Sequence, residues 1–147
     1  MSCIRFNTPA QRAQMKAMAP AMLTVEQAAA LHPAPAVTDS KIARLRLLSQ
    51  DPNPRIRERA ALDYHLPEDV FETLARDPDP EVRACVARNE TTPCDVLRSL
   101  VSDPSERVRG FLAVNFFVPS DAMDVLAADP SPVVRDLVRW KSELASA

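Results

Sequence analysis

The dipeptide Asp-Pro occurs at residues 51–52, 77–78, 103–104 and 129–130, a spacing of 26 residues each time, and Arg57, Arg83, Arg109 and Arg135 follow at one fixed offset. This periodicity constrains the fold more than any composition does. Self-similarity at such a period marks an array of supersecondary units, each too small to bury its apolar face alone, so that a core forms only by stacking.

The units read DPNPRIRERAALDYHLPEDVFETLAR, DPDPEVRACVARNETTPCDVLRSLVS, DPSERVRGFLAVNFFVPSDAMDVLAA and a truncated DPSPVVRDLVRWKSELASA. Their third residues, Asn53, Asp79, Ser105 and Ser131, are good helix N-caps, each typically worth about 1 kcal/mol over Ala. Pro54, Pro80 and Pro132 follow at the first helical position, where the missing N–H costs nothing. Ile56, Val82, Val108 and Val134 then pair four residues on with Ala60, Val86, Leu112 and Val138, the spacing of one buried helical face. Asp63, Asn89 and Asn115 stand where this first helix ends and suit a left-handed cap.

Pro67, Pro93 and Pro119 open a second short helix, with apolar positions Val70, Phe71 and Leu74, then Val96, Leu97 and Leu100, then Ala122, Met123, Val125 and Leu126. No pattern of period two occurs, so the expected fold is all-α, an α-solenoid of two-helix units. The fourteen prolines punctuate unit boundaries, and a single glycine, Gly110, excludes a glycine-rich phosphate loop. The repeated acid and base, Asp51 and Arg57, Asp77 and Arg83, Asp103 and Arg109, Asp129 and Arg135, are expected to form a structural ladder in which each Arg meets Asp or carbonyl groups of an adjacent unit.

The D-P-x-P-x-V-R start and the x-P-x-D-V-L second helix resemble the bacterial leucine-rich repeat variant family, a relative in architecture of HEAT and armadillo repeats. The resemblance covers about residues 38–147. It implies a right-handed superhelix of paired short helices, the second of each pair 3₁₀ in some members. The founding type of the family carries an N-terminal iron–sulfur cluster held by a group of cysteines. This chain has only Cys3 in that region, so the cluster is not carried over and no cofactor is expected.

The expected organisation is an N-terminal helical cap and proline linker over 1–37, then repeats over 38–147: a partial unit at 38–50, units at 51–76, 77–102 and 103–128, and a truncated one at 129–147. Thr38-Asp39-Ser40 with Ile42, Leu45 and Leu48 fits the second helix of the partial unit. Thr24 to Gln27 resembles a capping box, and Met15, Met18 and Met22 lie along one side of an earlier helix. These helices either cap the open end or, through the methionines, meet a partner.

Charge and cysteines bound the function. Residues 1–62 hold nine Lys and Arg against four Asp and Glu, and residues 63–147 hold nine against sixteen, giving a basic start and an acidic end. Cys3, Cys85 and Cys94 lack metal-ligand spacing, and with no charged leader before an apolar run a reduced, cytoplasmic protein is expected. Residues 18–31, broken by Pro20 and Glu26, fall far short of a membrane span. His32 and His65 lie in turns without a triad or metal partner, Cys85 and Cys94 read as buried thiols, and Asp69, Asp95 and Asp121 recur at helix starts. No catalytic or metal-binding residues are expected, and no enzyme activity.

Residues that break the pattern are more informative. Tyr64 and Phe116 occupy one turn position, Phe117 follows, and Arg88 and Trp140 replace the aliphatic Leu62 and Val114 of their slot. Turn aromatics fill gaps between units in one reading and anchor a partner in the other. The expected function is a non-enzymatic module that binds a protein or peptide, with Tyr64, Arg88, Phe116 and Trp140 as candidate contacts. The alternatives are nucleic-acid backbone binding by the basic half, including Arg44, Arg46, Arg55 and Arg59, and self-association through the ends, head to tail or as a symmetric dimer.

Overall fold

The computed structural model describes residues 37–146, with side chains to Leu144. The expectations on the capping box, the methionine-bearing helix, Cys3, His32 and most of the proline linker lie outside the described residues. Within them the chain forms helices and no strand: α1 (Asp39–Leu48), α2 (Pro54–Ala61), α3 (Glu68–Leu74), α4 (Pro80–Arg88), α5 (Cys94–Ser99), α6 (Glu106–Val114), α7 (Ser120–Ala127) and α8 (Pro132–Ser146). The short second helices α3, α5 and α7 are α-helical, not 3₁₀.

Helix starts follow local chemistry. Thr38 accepts from the Lys41 N–H, Asn53 from Arg55, Asp79 from Glu81 and Ser131 from Val133, each satisfying a backbone donor left free by the first turn. Ser105 differs from the expectation: its side chain makes no cap hydrogen bond. The unit it begins is also the one in which Glu106 replaces the first-turn proline.

The most extensive packing joins α4 to α6, α8 to α6 and α2 to α4. Val82, Val86, Val108, Leu112 and Val134 are wholly buried between these helices, and Phe71, Leu74, Leu97 and Leu126 close the core from the second helices. Each such side chain contributes roughly 1.5–3 kcal/mol by leaving water. Val138 and Ile56, on the last and first of these helices, are only half-buried, whereas Val134 and Ala60 on the same two helices are fully buried.

Two expectations are corrected here. Val125 is exposed, because it stands one sequence period after Ser99 and two after Thr73, a slot that faces water; only Ala122 and Leu126 of α7 are buried. Asn89 and Asn115 do not adopt the left-handed conformation. Their φ angles are -70° and -66°, and no described residue, Asp63 and Gly110 included, has positive φ. Both are buried and serve a different purpose, described next.

Candidate functional site

Three buried ion pairs link each first helix to the start of the next unit. Arg57 donates from Nε and Nη2 to Asp77 at 2.6 and 2.8 Å, Arg83 to Asp103 at 2.7 and 3.0 Å, and Arg109 to Asp129 at 2.7 and 3.1 Å. The third donor of each fork, Nη1, reaches back to the carbonyl of Asp51, Asp77 or Asp103 at 2.6–2.8 Å. Each carboxylate also accepts the N–H two residues on, as Asp77 does from Asp79 at 2.9 Å. Burial pushes the Asp77 carboxyl up, but the Arg57 fork and the Asp79 N–H outweigh it and hold it below its ordinary range. At Asp129 the Arg109 bond dominates and lowers the pKa in the same way.

A second ladder escaped the sequence reading. Asn89 Nδ2 donates to the carbonyls of Ala61 and Asp63 at 2.8 and 3.1 Å, and Asn115 Nδ2 to those of Ala87 and Asn89 at 2.8 and 3.1 Å. At the next position the Lys141 ammonium donates to the Asn115 carbonyl, and burial pushes its pKa down. The signal was a polar residue kept at a slot between apolar helices. Among the described residues no buried side-chain nitrogen or oxygen is left without a partner.

These ladders occupy most of the recurring arginines, so the functional candidates are those that remain. Facing away from the core, α2 carries Arg55 and Arg59, with Leu62 just beyond its end; α4 carries Glu81, Cys85 and Arg88, α6 Arg107, Phe111 and Val114, and α8 Val133, Leu137 and Trp140, all at matching positions and none buried. A cleft of about 410 Å³ opens between α6 and α8, walled by Gly110, Phe111, Val114, Val133 and Leu137. It shares Phe111 and Arg107 with a second cleft, of about 340 Å³, which extends past Cys85 and Arg88 to Arg59. The guanidinium carbons of Arg88 and Arg107 each stand 5.7 Å from the Phe111 ring centre, within cation–π range.

Tyr64 and Arg88 meet in a third, adjoining cleft with Leu62 and Glu90. Phe116 and Trp140 line none of these clefts; Trp140 follows Val114 by one sequence period on the same face. The gap-filling reading of the aromatics does not hold, since Tyr64 is 62%, Phe116 78%, Phe117 56% and Trp140 53% exposed. Near the ends of the first helices the fully buried residues are instead the alanines Ala61, Ala87 and Ala113.

Of the basic residues singled out for nucleic acid, Arg46 is forked onto Asp69 and Arg55 onto Glu58, while Arg44 and Arg59 make no ion pair among the described residues. Lys41 bridges Asp63 and His65. Arg98 joins Asp121 and Asp95 on the second-helix side. Cys94 is exposed, against the buried-thiol reading, and Cys85 is half-buried with its thiol pKa pushed up by burial, the opposite of an activated nucleophile. No group of three or more His, Cys, Asp or Glu among the described residues is arranged to hold a metal ion, and none of their helices is long and apolar enough to cross a membrane.

No protein-family model, curated protein or solved structure matches the chain.

Proposed function

We propose that residues 38–147 form a right-handed α-solenoid of the leucine-rich repeat variant kind and that the chain is a non-enzymatic interaction module, binding a protein or peptide on the outer face of α2, α4, α6 and α8. The observation that carries this reading is the continuous run of clefts along that face, in which unpaired arginines adjoin exposed apolar and aromatic side chains. Interface hot spots favour Arg, Trp and Tyr, and isolated apolar patches on a monomer's surface are usually smaller and more scattered. The two ladders supply the rigidity such a face needs, since they fix the register of neighbouring helices without using any outward side chain.

Affinity purification of the tagged protein from its native cell, with and without nuclease, tests this. A stoichiometric protein that survives nuclease and is lost with Arg88→Glu or Trp140→Ala supports the module. Nuclease-sensitive nucleic acid as the sole co-eluting species, lost with Arg44→Glu and Arg59→Glu, refutes it.

One observation favours a second reading, end-to-end self-association. Arg135 donates Nη1 to the Asp129 and Pro130 carbonyls as its counterparts do, yet its Nε and Nη2 meet no carboxylate, and Asp51 meets no arginine side-chain donor to its carboxylate among the described residues. The two half-pairs are complementary. A sedimentation mass that rises with concentration and falls back with Arg135→Ala supports this; a concentration-independent monomer rules it out.

A further inference from the structure

Resting on the interaction reading above, we infer that the α6–α8 cleft is the anchor site for an extended acidic segment of a partner protein, one bulky apolar side chain entering the cleft and carboxylates lying over Arg88 and Arg59. One residue of the cleft lining stands out. Gly110 occupies the slot that holds Glu58 in α2, Ala84 in α4 and Asp136 in α8. It is the only glycine in the chain and sits inside a helix, where glycine is unfavourable. A Cβ built there would touch only Leu137 Cδ1, at an ordinary 3.5 Å, so neither crowding nor backbone conformation requires glycine. The absent side chain instead leaves the floor of the cleft open between Phe111 and Leu137.

The face is graded along its length. Toward α8 it is apolar, with Val133, Trp140 and Leu144 all more than half exposed. Toward α2 it is basic: the cleft that continues from Phe111 is lined by Arg55, Arg59, Arg88 and Arg107 against Glu58 and Glu81. Arg55 is held by Glu58 and Arg107 by Glu81 at 3.2 Å, so the cations of this cleft that meet no carboxylate among the described residues are Arg59 and Arg88. Isolated carboxylates complement two separated guanidiniums, whereas a continuous polyanion would also lie against Glu58, Glu81 and Glu106. This favours a peptide over nucleic acid.

Spacing sets the motif. Packed helix axes stand about 8–10 Å apart and an extended chain advances about 3.3 Å per residue. From an anchor midway between α6 and α8, α4 lies one and a half spacings away, so the first carboxylate falls about four residues along the ligand, over Arg88, and a second about three residues farther, over Arg59. Main-chain direction is left open by this geometry, so both orders are allowed.

The test is selection of a displayed random-peptide library on the immobilised full-length chain, followed by anisotropy titration of the enriched sequences as synthetic peptides. Enriched peptides should carry a bulky apolar residue with acidic residues about four and seven positions to one side, and should bind more weakly at high salt. Gly110→Leu, which fills the cleft, and Arg88→Glu should each weaken binding at least about tenfold. Selection on Arg88→Glu should then replace the first acidic position by Lys or Arg, a swap that loss of fold cannot produce. Enriched peptides without acidic residues, or indifferent to both substitutions, overturn the inference while leaving the module reading to stand on its purified partner. Absence of any enrichment over the Gly110→Leu protein also overturns it.

Discussion

Arg83→Ala is the perturbation that most directly tests what holds neighbouring helices in register. The Arg83 side chain is 13% exposed and that of Asp103 4%. The substitution removes two charge-assisted bonds to Asp103 and one to the Asp77 carbonyl. It leaves Asp103 buried with the Ser105 N–H as its remaining donor. Breaking a buried pair from one side costs about 3–5 kcal/mol, because the orphaned charge stays desolvated. The edge of Arg83 that reaches solvent places the expectation near the lower end of that range. Urea unfolding followed by far-ultraviolet circular dichroism measures it, with Arg98→Ala as control: Arg98 makes three carboxylate bonds to the two of Arg83, but in water, where such pairs contribute little. The paired change Arg83→Met with Asp103→Leu should recover most of the loss, since no charge is left buried. A single-mutant cost below about 1 kcal/mol, the level of an exposed pair, or one equal to that of Arg98→Ala, would refute the view that the ladder fixes register through desolvated charge.

Gly110→Ala should raise stability by about 0.5–1 kcal/mol, because the helix interior gains a better former and the new methyl meets only Leu137; a lower unfolding midpoint would contradict the open-cleft geometry. Asn115→Ala removes donors from the Ala87 and Asn89 carbonyls and an acceptor from the Phe117 N–H, and should cost about 2–4 kcal/mol in the same urea assay. Val125→Thr, at an exposed slot, should change stability by less than about 0.5 kcal/mol. For pH, the carboxyls of Asp77 and Asp129 are held below their unfolded value in the fold, so over acidic pH the unfolded chain binds more protons and stability rises with pH. Their contribution is complete above the unfolded carboxylate value and is lost as pH falls through the lowered folded values; an unfolding midpoint that is flat through that acid range would show the pairs to be energetically idle.

The helices and three of the acid–base contacts, those of Arg57, Arg83 and Arg109, were legible because their residues recur, and recurrence separates a structural requirement from chance; Arg135 and the Asp51 carboxylate do not join the ladder. The Asn ladder was not, because asparagine at a helix end has a familiar local use as a turn residue, and only the three-dimensional course shows its amide crossing to the chain segment one period earlier. Val125 misled for the opposite reason: apolarity was counted within one helix, whereas its counterparts Ser99 and Thr73 already marked the slot as solvent-facing. The exposed aromatics were singled out by their departure from the repeat, but the same turn position suits a filled gap or a surface side chain, and only the packed helices show that they are exposed. The clefts were invisible for the same reason, since the residues that wall them come from helices well separated along the chain.

Two sets of arginines differ in environment although α2 and α4 carry members of both. Arg57, Arg83 and Arg109 are nearly buried, bound on three donors and raised in pKa first by their carboxylate partners, so their removal is read as a loss of stability. Arg59 and Arg88 are exposed and meet no carboxylate among the described residues, so their removal leaves no buried charge behind. Arg88 stands over the Phe111 ring beside an open apolar cleft, the place at which the proposed partner would meet it. Because stability is held by the first population, the second is free to vary in sign and size without unfolding the protein, which makes charge reversal at Arg88 a clean probe of binding.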